Sequence, residues 1–188
     1  MRQVVTGFLL LLLAGACIQP SEQGAFTRQY ISLDSLIREQ SKKMEGVRVY
    51  KTVEIDGETE NKTLLFDSAN WARELGVLTD LDLNKPKYQG TMYQQIEGNQ
   101  VSYYPLPDRK SPLVFVSYTY DNQGFLNEIE GEFTDDEAQA IYTTWRKYQL
   151  TFDGGVISSY LFRGYQKIVM KDTVWFRIEG NVLPASGQ

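Results

Sequence analysis

Histidine is missing altogether, and cysteine occurs once, at Cys17. The first absence removes Ser-His-Asp and Cys-His catalysis together with the commonest zinc ligand. The second removes disulfides and cysteine-rich metal sites. No phosphate-binding glycine loop, Gly-x-Ser-x-Gly elbow or Ser-x-x-Lys pair occurs either. Basic residues are also short, with 19 Lys+Arg against 24 Asp+Glu. A general nucleic-acid binder needs a basic field, so that class is set aside. These absences lead to the expectation of a non-enzymatic protein with no cofactor and no metal.

Aromatic residues are plentiful: 12 Tyr, 9 Phe and 3 Trp. They suit a β-rich core that must hold without disulfides. The other distinctive stretch is the N-terminus. Arg2 supplies a positive charge, Val4 to Leu13 is apolar apart from Thr6 and Gly7, and Ala14-Gly15-Ala16 is a small-residue cleavage site directly before Cys17. The run is too short to span a bilayer comfortably and fits a secretory signal peptide.

Ala14-Gly15-Ala16-Cys17 resembles the lipobox of bacterial lipoproteins. That resemblance implies cleavage before Cys17 and acylation of its thiol and of the new N-terminus. Several acyl chains give stable attachment where one does not. Ile18 in place of Asp after the cysteine implies passage to the outer membrane, facing the periplasm. The expected organisation is a signal peptide over 1–16, lipidated Cys17 with a flexible tether over 17–29, and one domain over 30–188. The tether reaches up to about 40 Å when extended. Loss of Arg2 leaves a mature chain of about 172 residues at about −6 net charge.

The domain begins with a helix expected over Ser32–Glu45, with Ser32 as N-cap, Leu33, Leu36, Ile37 and Met44 at helical spacing, and Gly46 as the stop. Val47, Val49, Val53 and Ile55 alternate as a strand. Asp56-Gly57 turns the chain, and 62–66 returns. Asp67 or Ser68 caps a second helix carrying Trp71, Leu75 and Leu78, all read as core. From Tyr88 onward a meander is expected, with strands at 89–97, 100–105, 113–121, 124–133, 143–153, 155–171 and 173–183. Its hairpin turns lie at Gly98-Asn99, 121–124 and 153–155.

Gly131 and Gly164 read as bend points of a wide sheet. The two-residue turn Gly154-Gly155 places Trp145 opposite Gly164, as its cover. Arg146 and Arg163 then share a face, with Arg177 beyond. Glu128, Glu130 and Glu132 share a strand face and read as a charge ladder on the solvent side. Thr134-Asp135-Asp136-Glu137 is a capping-box pattern and predicts a helical turn before Ile141. Asp80-Leu-Asp82-Leu-Asn84 imitates a calcium loop, but Lys85 and Thr91 stand where Gly and Glu are needed. The two acids read as solvated.

The lipobox, Ile55-Asp56-Gly57 with its returning strand, Leu83-Asn84-Lys85-Pro86 and the run Phe162-Arg163-Gly164-Tyr165-Gln166-Lys167 together resemble a group of uncharacterised Bacteroidota-type lipoproteins. The group implies no activity, so no functional residue is carried over from it.

The expected fold is α+β: a curved antiparallel sheet of about seven to nine strands, half-barrel-like, with two helices packed on it. The expected role is a membrane-anchored, periplasm-facing protein for binding or envelope assembly. Its partners are the membrane, through the Cys17 lipid, and an envelope protein or lipid ligand; no nucleic acid is expected. One alternative is a lipid or lipoprotein carrier resembling half-barrel chaperones, which needs an apolar concave face that the helices leave unfilled. Packing of that face by Leu36, Ile37 and Trp71 counts against it. A second alternative is a glycan hydrolase using carboxylates such as Glu128 and Glu130.

Overall fold

The computed structural model describes residues 30–135 and 141–184. The expected signal peptide, Cys17 and the expected tether lie outside the described residues, as does most of the helical turn expected before Ile141. Thr134 and Asp135, its first two residues, belong to a strand.

Two helices come early, α1 (Leu33–Lys43) and α2 (Ser68–Leu75). The Ser32 hydroxyl accepts from the Ser35 N–H at 3.3 Å, and the Asp67 carboxylate accepts from the Asn70 N–H at 2.7 Å. Both N-caps satisfy helix-end donors that have no intrahelical partner. Between the helices runs the hairpin β1 (Val47–Ile55) and β2 (Glu58–Phe66). After α2 the chain continues as a 3-10 helix (Gly76–Leu81) and a second short one (Pro86–Tyr88).

The meander follows: β3 (Met92–Glu97), β4 (Gln100–Pro105), β5 (Leu113–Tyr120), β6 (Leu126–Asp135), β7 (Tyr142–Asp153), β8 (Val156–Ile168) and β9 (Thr173–Val182). All nine strands form one antiparallel sheet in the order β2-β1-β9-β8-β7-β6-β5-β4-β3. The first hairpin joins the meander through β1 pairing with β9, from Val49 opposite Val182 to Ile55 opposite Phe176. The sheet is curved and open, with β2 and β3 as its edges: an α+β fold.

Both helices pack on one face. Leu33, Met44, Trp71, Leu75, Leu78, Leu81 and Leu83 are buried against Val49, Val116, Ile129, Leu150, Tyr160 and Phe162 of the sheet. Trp71 is 0 % exposed and meets Phe66 and Tyr160 edge-on. Side chains of both helices pack into this space, and a groove of about 380 Å³ on that side lies between the helices, beside Asp34, Arg38 and Lys42. Glycines serve close approach here: a Cβ at Gly131 would lie 2.7 Å from the Leu81 side chain, and one at Gly180 would lie 2.1 Å from the Tyr160 ring.

The β7–β8 hairpin departs from the simple register. Gly154 and Gly155 both take positive φ, as a two-residue hairpin turn requires. Asp153 then faces Val156 and Phe152 faces Ile157, but Thr151 faces Ser159. Ser158 is the extra residue of a β-bulge. The Thr151 hydroxyl lies 3.0 Å from that of Ser158 and 2.6 Å from that of Ser159. Helix α1 braces the same hairpin: the buried Gln40 side chain donates to the Gly155 carbonyl at 2.9 Å and accepts from the Ile157 N–H at 3.1 Å. Pairing of β8 with β9 starts only at Ser159, so Gln40 answers backbone groups that β9 does not reach.

The bulge shifts every later pair by one residue and corrects two expectations. Trp145 stands opposite Tyr165 instead of Gly164, and Arg146 stands opposite Gly164 instead of Arg163. Trp145 therefore does not cover Gly164, and Arg146 and Arg163 lie on different faces.

Candidate functional site

Alternation along each strand sends one set of side chains under the helices and the other to the open face. On β7 the helix side receives Thr144, Arg146, Tyr148, Leu150 and Phe152. The open side receives Trp145, Lys147, Gln149 and Thr151. The neighbouring strands follow the same register.

An aromatic row crosses the open face from β3 to β9. Tyr93 and Tyr104 stack with centroids 5.6 Å apart, and Phe115 lies 6.2 Å beyond Tyr104. Glu132, opposite Phe115, accepts a hydrogen bond from Trp145 Nε1 at 2.8 Å. Trp145 stacks on Tyr165 at 6.1 Å, and Tyr165 meets Trp175 at 4.9 Å. The Asp56 carboxylate accepts from the Trp175 backbone N–H at 2.8 Å and fixes that end. Tyr93 is 43 % exposed and Trp175 55 % exposed. Adjacent strands lie about 4.8 Å apart, so the row is about 29 Å long.

A cationic row runs beside it, two residues along each strand. Lys147 faces Arg163, and Arg163 faces Arg177. Like charges directly opposite one another are unfavourable in a sheet. The outer two are answered: Lys147 pairs with Glu130 at 2.6 Å and Arg177 with Glu179 at 2.8 Å. The hydrogen bond from Arg177 holds the Glu179 carboxyl below its usual range. The middle cation, Arg163, is exposed and has no ion-pair partner among the described residues. It lines a groove of about 330 Å³ walled by Trp145 and Trp175, with Arg177, Glu54 and Asp56 around it. It also borders a smaller depression of about 70 Å³ with Glu130, Lys147, Gln149 and Leu161.

Of the acidic residues expected to form a charge ladder, one meets a cation across the strands and two accept hydrogen bonds from neutral side chains. Glu130 meets Lys147, Glu128 accepts from Gln149 at 2.6 Å, and Glu132 holds Trp145. Asp80 and Asp82 are not solvated as expected. Asp80 accepts from Arg146 at 2.7 Å and from the Tyr148 hydroxyl at 2.8 Å, and Asp82 accepts from the Asn84 N–H at 2.9 Å. Both acids hold the chain after α2 in place. Burial, reinforced by the Asp80 charge, pushes the Tyr148 hydroxyl well above its usual range.

Sequence reading missed Trp145, Tyr165, Trp175 and Arg163 as a group. Alternation on β7 to β9 and the turn at Gly154-Gly155 contain most of the signal; the one-residue bulge hides the rest. No family model, curated protein or solved structure matches this chain.

Proposed function

We propose that the protein is a non-enzymatic binding lipoprotein of the cell envelope, tethered through Cys17 to the outer membrane on its periplasmic side, with the open sheet face as its binding surface. The observation that carries this reading is the groove lined by Trp145 and Trp175 together with Arg163, a guanidinium with no ion-pair partner among the described residues. Exposed aromatic and arginine side chains are the residue types that anchor interfaces. Here they stand in rows on a rigid sheet, so ordering them for a ligand costs little.

A lipid-carrying role draws no support from the helix side, where Ile37 is 7 % and Trp71 0 % exposed. Glu128 and Glu130 are held by Gln149 and Lys147 on the sheet surface.

Hydroxyl-radical footprinting of isolated envelopes against the purified chain tests the reading. Trp175 and Tyr93 should be oxidised less in the envelope, while Val77, exposed on the helix side, should be oxidised equally in both. Equal oxidation of Trp175 in the two samples would mean an idle face. Replacement of Cys17 by Ser should release the protein from the membrane fraction; retention would remove the tether from the proposal.

A further inference from the structure

We infer that the open face holds an extended polysaccharide bearing sparse carboxylates, whose sugar rings stack along the row from Tyr93 to Trp175 and one of whose carboxylates pairs with Arg163. This rests on the reading of that face as a binding surface and assigns its ligand class.

The shape of the face argues for a polymer. A small ligand is held in a concave pocket that buries most of its surface. This row is open and about 29 Å long, so its natural complement is a chain lying across the strands. A peptide strand would instead pair along a sheet edge, β2 or β3, through its backbone, whereas the row runs across the strands from one side of the sheet toward the other.

The charges select among polymers. A nucleic acid needs an electropositive track for its phosphates. Glu54, Glu128, Glu130, Glu132 and Glu179 all lie on this face and repel any polymer with a negative charge on every unit, so the polymer that fits carries only sparse acids. A lipid surface needs a continuous apolar patch, and the β7–β9 part of the aromatic row is bordered by Lys147, Arg163, Arg177 and their acids. A sugar chain matches both features. The C–H face of a sugar ring is weakly positive and apolar, and it complements the electron-rich face of an indole or phenol ring. Sugar hydroxyls both donate and accept, as the mixed Gln149, Lys147, Glu130 and Glu54 border requires.

Arg163 adds the demand for an acid. It stands between two other cations and is the one among them without a carboxylate. A planar carboxylate can take two parallel N–H bonds from a guanidinium and remove the cross-strand repulsion at the same time.

Calorimetry of the full chain in detergent with largely methyl-esterified polygalacturonate fragments, in which free carboxylates are sparse, neutral dextran and polyglutamate tests the inference. Polygalacturonate should bind, dextran should bind about tenfold more weakly, and polyglutamate, with carboxylates but no sugar rings, should not bind. Arg163→Gln should bring polygalacturonate down to the dextran level. Trp175→Ala should weaken both glycans about tenfold, whereas Val77→Ala on the opposite side should change neither. Equal affinity for the charged and neutral glycans, an unchanged preference in Arg163→Gln, or tight binding of polyglutamate would overturn the inference. Absence of all glycan binding, with Trp175 still protected in envelopes, would overturn the ligand class and leave the binding face standing. Absence of both would overturn both. Circular dichroism of each variant separates loss of binding from loss of fold.

Discussion

On the helix side of the sheet, Lys51 of β1 and Arg146 of β7 each point toward the core, and each meets one carboxylate: Glu74 of α2 at 2.6 Å and Asp80 at 2.7 Å. Tyr160 and Tyr148 add hydroxyl donors to the same two acids, both at 2.8 Å. On the open side, Lys147, Arg163 and Arg177 stand side by side on neighbouring strands, and the middle one has no acid partner among the described residues. The same strands thus treat charge in two ways. A cation in a half-dry interior must be paired or its desolvation goes uncompensated, so the helix side answers each one individually. Water tolerates an unanswered cation on the open side. Such a group contributes nothing to the fold and stays free for a ligand. The contrast makes a division testable: helix-side changes should act on stability, open-side changes on binding.

The largest effect is expected at Trp71. Trp71→Ala removes a fully buried ring and should cost about 3–5 kcal/mol, read from urea unfolding. Lys51→Met comes next. It strands Glu74, whose side chain is 14 % exposed, and should cost about 3 kcal/mol. A loss below about 1 kcal/mol would mean that water reaches Glu74, and the contrast between the faces would weaken.

Gln40→Ala probes the brace on the β7–β8 hairpin. It leaves the Gly155 carbonyl and Ile157 N–H without their side-chain partner and should cost about 1–3 kcal/mol. Faster amide exchange confined to that hairpin should accompany the loss. Trp175→Ala, by contrast, should change stability by less than about 1 kcal/mol, because the ring is 55 % exposed and gains mainly from its tilted contact with Tyr165. A larger loss would place the aromatic row among the fold's supports and blur the division.

The smallest effect is on pH. The Glu179 carboxyl is lowered in the fold by its hydrogen bond from Arg177. Its contribution is therefore present above the unfolded carboxylate pKa and is lost as pH falls through the lower folded value. Both partners are well exposed, so Glu179→Gln should shift acid unfolding only marginally by thermal melts.

Much of this architecture was legible from residue order. The caps at Ser32 and Asp67, the alternation on β1 and the glycine turns of the meander all act over a few residues, and the structure places them as read. The extent of β2 was less legible. Its first half, Glu58–Asn61, is exposed and polar and carries no apolar alternation; pairing with β1 makes it a strand. The open-face site was harder still. Its aromatic residues come from strands distributed between Tyr93 and Trp175, and Trp145 and Arg163 join it only in the shifted register.

Residue order by itself determined most of the strands, the two α-helices and where most turns fall, because backbone preference and local periodicity need no distant partner. It also determined that histidine and disulfide chemistry are closed to this chain. Tertiary structure alone decided which side chain stands across from which. One extra residue at Ser158, where Thr151 meets two hydroxyls and Gln40 reaches over from α1, turns Trp145 toward Tyr165 and leaves Arg163 between two other cations. In a structure of period two, a displacement of one residue exchanges the partners on both faces.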